Sequence, residues 1–296
     1  MTEQSFVQQA ALCMTFGDSG AGKSTDCGYS FPNALYIAAP GALSSIESTC
    51  GFSPTQTDAQ DIADAIERIN YQLSIGAEYD AIIVDDFSFL HQRELAKWQE
   101  KIRGNNFKPF QMANDAVMQF RDTCRYAGMH IVVNCWERKP NTSGGVFKKG
   151  GPLLTGKLGE ALPAMFDIVL RCGHEPARKP WSGVYHCTSD PNWVTKDRFN
   201  IAQTLGVSPM NLGEILRAAG YTISRLPELD WQEEIVQNIT TQLLESDGSS
   251  SNAVASEWYT RLLEKVDHRI ARWTVRDALD RSVIQRGLTS ARSSFF

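Results

Sequence analysis

The chain has 296 residues, 42% of them hydrophobic and 21% charged, enough to bury a sizeable core as one large domain or as a domain with an appendage. A net charge of -5 excludes global attraction to a polyanion, so any such contact must come from a local patch. No apolar run approaches the ~20 residues that span a bilayer, and seven scattered cysteines without a C-x-x-C pair point to reduced thiols in a cytoplasm rather than to disulfides or zinc.

The N-terminal "MTEQSFVQQA" has neither the basic start nor the apolar stretch of a signal peptide. Residues 11–16, "ALCMTF", predict a strand, and the nonapeptide "GDSGAGKST" (17–25) follows at once. It fits G-x-x-x-x-G-K-[ST] at Gly17, Gly22, Lys23 and Ser24. Glycines let the backbone curl so that amides point inward at phosphates, a lysine reaches the β and γ oxygens, and a serine hydroxyl ligates Mg²⁺. A helix starting near Lys23 adds its positive end to the same place. Asp18, Ser19, Gly20, Ala21 and Thr25 complete the candidate cradle. The alternative for such a stretch is a plain glycine-rich strand-to-helix turn.

"ALYIAA" (34–39) predicts a second strand. Over 57–75, Ile62, Ile66, Ile69 and Leu73 recur at helical spacing after a cap at Thr57 or Asp58. "AIIVDD" (81–86) is a short apolar run ending in two carboxylates. A buried strand ending this way can hold Mg²⁺ beside the phosphates, which makes Asp85 the metal candidate. Asp86 is either the residue that positions an attacking water or a cap for the next segment. Helical patterns follow at roughly 89–102 and 109–126, and "MHIVVNCW" (129–136) predicts a further buried strand, with Asn134 as a candidate γ-phosphate sensor or a strand-end cap. Strands alternating with helices imply an α/β fold with a mostly parallel sheet flanked by helices. Cys13, Cys135 and Cys172 fall in apolar runs, where packing is their expected role.

Residues 138–157, "RKPNTSGGVFKKGGPLLTGK", show no periodicity and read as a mobile glycine-rich loop. "FDIVLRC" (166–172) predicts another strand, and 183–199 a hairpin turning at "SDPN". Beyond Leu205 the pattern is mostly helical, interrupted by "DGSSSNA" (247–253) and ending in a frayed "TSARSSFF". The expected division is therefore a core over 1–205 and a helical C-terminal extension over 206–296.

With "GDSGAGKST" and "AIIVDD" in this order, the chain resembles the RecA-like P-loop ATPases, specifically the small RecA-core proteins of bacteriophages that include single-strand annealing recombination proteins. "GPLLTGKLGEALPAMFDIVLR" (151–171) and "WVTKDRF" (193–199) carry the resemblance further, over about residues 10–205. It implies a RecA-like core that forms a ring or filament, binds ATP and Mg²⁺ between subunits, and contacts single-stranded DNA through loops in a bacterial host's cytoplasm. Many relatives carry a catalytic glutamate just after the second strand. That place here reads "IAAPGALSS", with no acid before Glu47, which leaves Asp86 or Glu94 to substitute.

The 138–157 segment holds Arg138, Lys139, Lys148, Lys149 and Lys157 with no Asp or Glu, and Phe147 offers a ring for base stacking. Cations beside an aromatic are what a sequence-tolerant single-strand site needs; a solvated surface loop is the plainer reading. Lys196 and Arg198 in "TKDR" form either a surface salt-bridge pair around Asp197 or, as the resemblance implies, a cationic pair reaching the γ-phosphate of an adjacent subunit. The C-terminal stretch carries Arg261, Lys265, Arg269, Arg272, Arg276 and Arg281 around Trp258, Leu262, Val266, Ile270 and Trp273, an amphipathic helix expected to pack on its own core or a neighbour. The leading expectation is an ATP-hydrolysing protein of recombination or annealing on single-stranded DNA, working with a single-strand binding or other replication protein. The rivals are a ring-forming DNA motor or helicase component, a nucleotide kinase, and an ATP-loaded adaptor.

Overall fold

The short apolar runs build one sheet and the longer periodic segments cover it. The computed structural model describes residues 10–39, 41–50, 52–143, 145–174, 183–186, 190–201 and 210–223. In chain order these give β1 (Leu12–Gly17), α1 (Lys23–Ser30), β2 (Ala34–Ala38), α2 (Ser44–Cys50), β3 (Thr55–Asp58), α3 (Ile62–Ser74), β4 (Ala81–Asp85), α4 (Phe87–Lys101), α5 (Lys108–Tyr126) and β5 (His130–Arg138). They continue with β6 (Asn141–Ser143), β7 (Val146–Lys148), β8 (Gly151–Pro152), α6 (Leu158–Ala161), β9 (Ile168–His174), β10 (Gly183–His186), β11 (Lys196–Asp197) and α7 (Leu212–Ala218).

The main sheet runs β10-β9-β1-β5-β4-β2-β3, with β9, β1, β5, β4, β2 and β3 parallel and β10 and β11 antiparallel along the outer side of β9. β5 thus lies between the strand that leads into the glycine loop and the strand that ends at Asp85. β1, β2 and β4 are buried from end to end, and β5 is buried except at its last three residues, which is why they read as unbroken apolar runs rather than as alternation. β3, "TQTD", is a polar edge strand that composition hides.

On one face, Leu12, Met14, Phe16, Val84 and Val133 pack against α3, α4 and α5 through Ile62, Ile66, Leu90, Val117 and Phe120. Phe87 and Phe120 meet with ring centroids 4.9 Å apart. Each such side chain contributes about 1.5–3 kcal/mol on leaving water. Cys13, Cys135 and Cys172 are buried and free, as packing requires. Among the described residues no helix is long and apolar enough to cross a membrane.

Three expectations need correction. α3 starts at Ile62 and is capped by Asp61, whose carboxylate accepts from the Asp64 amide at 3.0 Å; Thr57 and Asp58 belong to β3 instead. The 138–157 segment is not a featureless loop. β6 and β7 form an antiparallel hairpin, and β8 pairs back on β5. Finally, the described strands of 183–199 do not pair with each other: β10 and β11 each pair with β9, at Arg171–His174 and at Ile168–Val169. Of the expected "SDPN" turn, residues 190–192 are described, and residues 187–189 before them lie outside the described residues. So do the helical extension apart from 210–223, the cationic stretch Arg261–Arg281, the 247–253 joint and the Phe295–Phe296 end.

Candidate functional site

β1 ends at Gly17, which is pressed against β9: a Cβ there would lie 2.6 Å from the Cys172 carbonyl oxygen. The loop then turns through Gly20 and Gly22, whose φ angles of 79° and 90° favour glycine. The Ala21 amide donates to Asp18 O at 3.2 Å, closing the curl. Asp18, Ser19 and Gly20 are exposed, whereas Ala21 and Lys23 are buried. The Lys23 ammonium donates to the carbonyls of Gly17 and Asp18 at 3.1 and 3.0 Å, so it lies along the concave side of the loop. Gly22 caps α1, and Ser24 and Thr25 sit in that helix's first turn, beside its positive end.

Ser24 donates its hydroxyl to Asp85 Oδ2. A hydroxyl and a buried carboxylate from opposite sides of β5 thereby meet beside the loop, giving the oxygen pair a hard cation needs. Burial pushes the Asp85 carboxyl up, opposed by the Ser24 and Asn134 bonds and by the Lys23 charge. Asn134 is fully buried; its Oδ1 accepts from Thr15 Oγ1 at 2.7 Å, and Cys27 Sγ is 3.6 Å from its Nδ2. It is therefore a link inside the sheet beside Asp85, two residue pairs before the end of β1.

Asp86 caps α4, accepting from the amides of Ser88 and Phe89 at 2.8 and 3.2 Å. Burial first, then the charge of Asp85, pushes its carboxyl up to about 7. Glu94 is corrected by its surroundings. It is buried and spent on the Ala63 amide at 3.1 Å, the Trp98 indole at 2.6 Å and Lys97 at 3.5 Å. Eight residues beyond Asp86, about 12 Å along the helix, it holds α3 rather than a nucleotide.

Lys196 and Arg198 lie toward the opposite end of β9. Lys196 pairs with Val169 and donates to the carbonyls of Ala164 and Phe166 at 2.7 and 2.6 Å; burial lowers its pKa. Arg198 pairs with buried Asp167, which also accepts from the Leu12 amide at 2.9 Å and faces Arg125 at 3.3 Å. Within one chain neither joins the loop.

The basic residues distribute unevenly. Val146, Phe147, Lys148 and Lys149 are exposed on the β6–β7 hairpin, Phe147 by 50%. Phe147 stands opposite Thr142, and Lys148 opposite Asn141 on the other face. Arg138 is structural, donating to the Lys149 carbonyl at 3.2 Å and lying 4.0 Å from Glu160. Lys139, exposed, is 4.0 Å from Asp18, which puts the foot of the hairpin beside the glycine loop. Lys157 is exposed at the start of α6.

Two groups of residues were not legible beforehand. Asp26, fully enclosed in α1, accepts from the Tyr185 hydroxyl, from the Leu212 amide at 3.3 Å and from Ser30 Oγ at 3.4 Å, and so fastens α7 to the glycine-loop helix. Burial pushes its carboxyl up to about 6. Glu137, at the end of β5, is buried against Arg171 at 2.8 Å. Their only sequence signals are an acid in a first helical turn and an acid following a strand, neither of which names a partner.

The family model described as "AAA domain" matches residues 10–199. No curated protein matches the chain.

Proposed function

Because the chain belongs to this AAA-domain family, a nucleotide-binding ATPase fold, we propose that it binds and hydrolyses ATP with Mg²⁺ and acts on single-stranded DNA in recombination or annealing, in the manner of the phage RecA-like proteins it resembles. Gly17–Thr25 would hold the phosphates, and Ser24 and Asp85 would hold the magnesium ion, which neutralises phosphate charge when bound. The residues present fit that pair: the loop has left-handed glycines at its turns, an ammonium on its concave side and a hydroxyl already against a carboxylate. Asp86 is the remaining candidate to position water, since it sits next to Asp85 and Glu94 is engaged elsewhere.

One observation carries the nucleic-acid reading. The exposed cations and the half-exposed ring of the β6–β7 hairpin rise from the strand between Gly17 and Asp85, with Lys139 4.0 Å from the glycine loop. An anionic, ring-bearing single strand matches such a surface, and its foot is where a phosphate-loop rearrangement would be felt. Lys196 and Arg198 reach a γ-phosphate in this reading only across a contact between two copies, as in a ring or filament.

The test is ATP turnover with and without single-stranded DNA, using Lys23→Ala as control, together with DNA binding by Lys148→Glu/Lys149→Glu. Stimulation by the strand, and loss of strand binding with ATP binding intact in the double variant, are expected. Full strand binding by that variant would overturn the hairpin assignment. Phosphate transfer to a nucleoside monophosphate would replace the whole reading with a kinase.

A further inference from the structure

Three parts of the molecule converge on one indole. Trp193 packs on Phe16, the residue before the glycine loop, with ring centroids 6.2 Å apart. The guanidinium of Arg171 lies over the same ring, 3.7 Å from its centroid, while its Nε donates to buried Glu137 at 2.8 Å. The third neighbour is the exit of the hairpin. The Gly150 amide donates to Asn192 O at 2.8 Å, and Val194 N donates to Gly150 O at 2.9 Å. A Cβ on Gly150 would stand 2.4 Å from the Trp193 ring and 2.8 Å from Pro140.

These contacts are hard ones. Gly150 has no side chain to yield, Gly17 is pressed on Cys172 beside Arg171, and Glu137 is 2% exposed at the side chain. A buried carboxylate cannot give up its cationic partner without a large cost, and a guanidinium stacked on indole gains from the ring as well. A shift of the β1 end on ligand binding must therefore move the indole or be blocked by it. A packed contact of this kind has discrete arrangements rather than a continuous range.

We propose that Trp193 is a positioning residue that transmits the state of the phosphate loop to the β6–β7 hairpin, through Phe16 and the Glu137–Arg171 pair on one side and Gly150 on the other. This rests on the reading of Gly17–Thr25 as an ATP site, but not on what the hairpin binds. By linkage, whatever occupies the hairpin alters ATP affinity by the same factor.

The test is backbone hydrogen exchange of the full chain, with and without MgATP, read separately at residues 17–25 and 138–150. In the unaltered protein ATP should slow exchange at both segments, the hairpin by about fivefold or more if the coupling has a usual size. In Trp193→Leu the loop should still be protected while the hairpin response collapses. Glu137→Gln/Arg171→Met, which removes both charges and leaves neither buried alone, should behave likewise. Trp193→Phe keeps a ring and should restore part of the response. A hairpin response that survives in Trp193→Leu and in the double variant would overturn the proposal, as would none in the unaltered protein despite protection at 17–25. Absence of protection at 17–25 would instead overturn the ATP site, and this linkage with it.

Discussion

Ser24 and Asp85, 61 residues apart in sequence and borne by elements on either side of β5, share a direct hydrogen bond between hydroxyl and carboxylate. In the proposed function these two oxygens would hold the magnesium ion. Asp85→Asn keeps the shape but removes the charge. ATP affinity in Mg²⁺ should fall about tenfold or more, each factor of ten being 1.4 kcal/mol, with little change in EDTA. Calorimetric titration under both conditions decides it, and an equal loss in both would make Asp85 a support for the loop instead of a metal ligand.

Among the described residues Lys23 bonds to the carbonyls of Gly17 and Asp18, so its loss should spare the fold and damage binding. For Lys23→Ala, removal of charge-assisted bonds worth about 1.5–3 kcal/mol each predicts at least a tenfold weaker ATP complex with an unchanged melting temperature. A fluorescent ATP analogue and a thermal melt measure the two sides.

Glu94→Gln separates support from chemistry. The buried carboxylate ties α4 to the start of α3, and weakening that tie should lower stability by about 1–3 kcal/mol in a urea titration, with ATP turnover little altered. Turnover lost at an unchanged urea midpoint would return Glu94 to the reaction.

Asp26 gives a pH signature. Its folded pKa, about 6, lies above the ordinary value near 3.9 of an unfolded aspartate. Between these values the native state holds the proton more tightly than the unfolded one, so stability falls as pH rises through the interval. The group contributes fully below about pH 4 and has lost that contribution above pH 6 to 7, an effect of about 2–3 kcal/mol at most by the size of the shift. Asp26→Asn should flatten that slope. Comparing urea midpoints at pH 4.5 and 7.5 for both proteins checks the sign, and parallel profiles would show that Asp26 is not the titrating group.

Much of this was legible because the signals are local. A strand buried on both faces must be an unbroken apolar run, so "ALCMTF", "AIIVDD" and "MHIVVNCW" declared themselves, and the glycines of the loop are required by its turns. The hairpin was hidden since its strands are three residues long and β7 is exposed throughout, which leaves no alternation to detect. β3 was hidden by polar residues at a sheet edge. Asp86 and Glu94 look alike in sequence, each an acid following the "AIIVD" run; only their hydrogen-bond partners distinguish a site neighbour from a brace. Asp26 meets Tyr185 and Leu212, and Trp193 meets Phe16 and Gly150, each more than forty positions away, and no short window of sequence contains both ends of such a contact.

The interposition of β5 has a consequence for how the protein is made. β1 and β4 share no edge, and their common neighbour begins only at His130. During synthesis the glycine loop and the aspartate leave the ribosome long before the strand that brings them together. A nascent chain released short of residue 130 therefore carries both signature segments and no means of aligning them. Its nucleotide pocket is completed by a late, long-range closure, the slow kind of step in topologies where distant segments must meet.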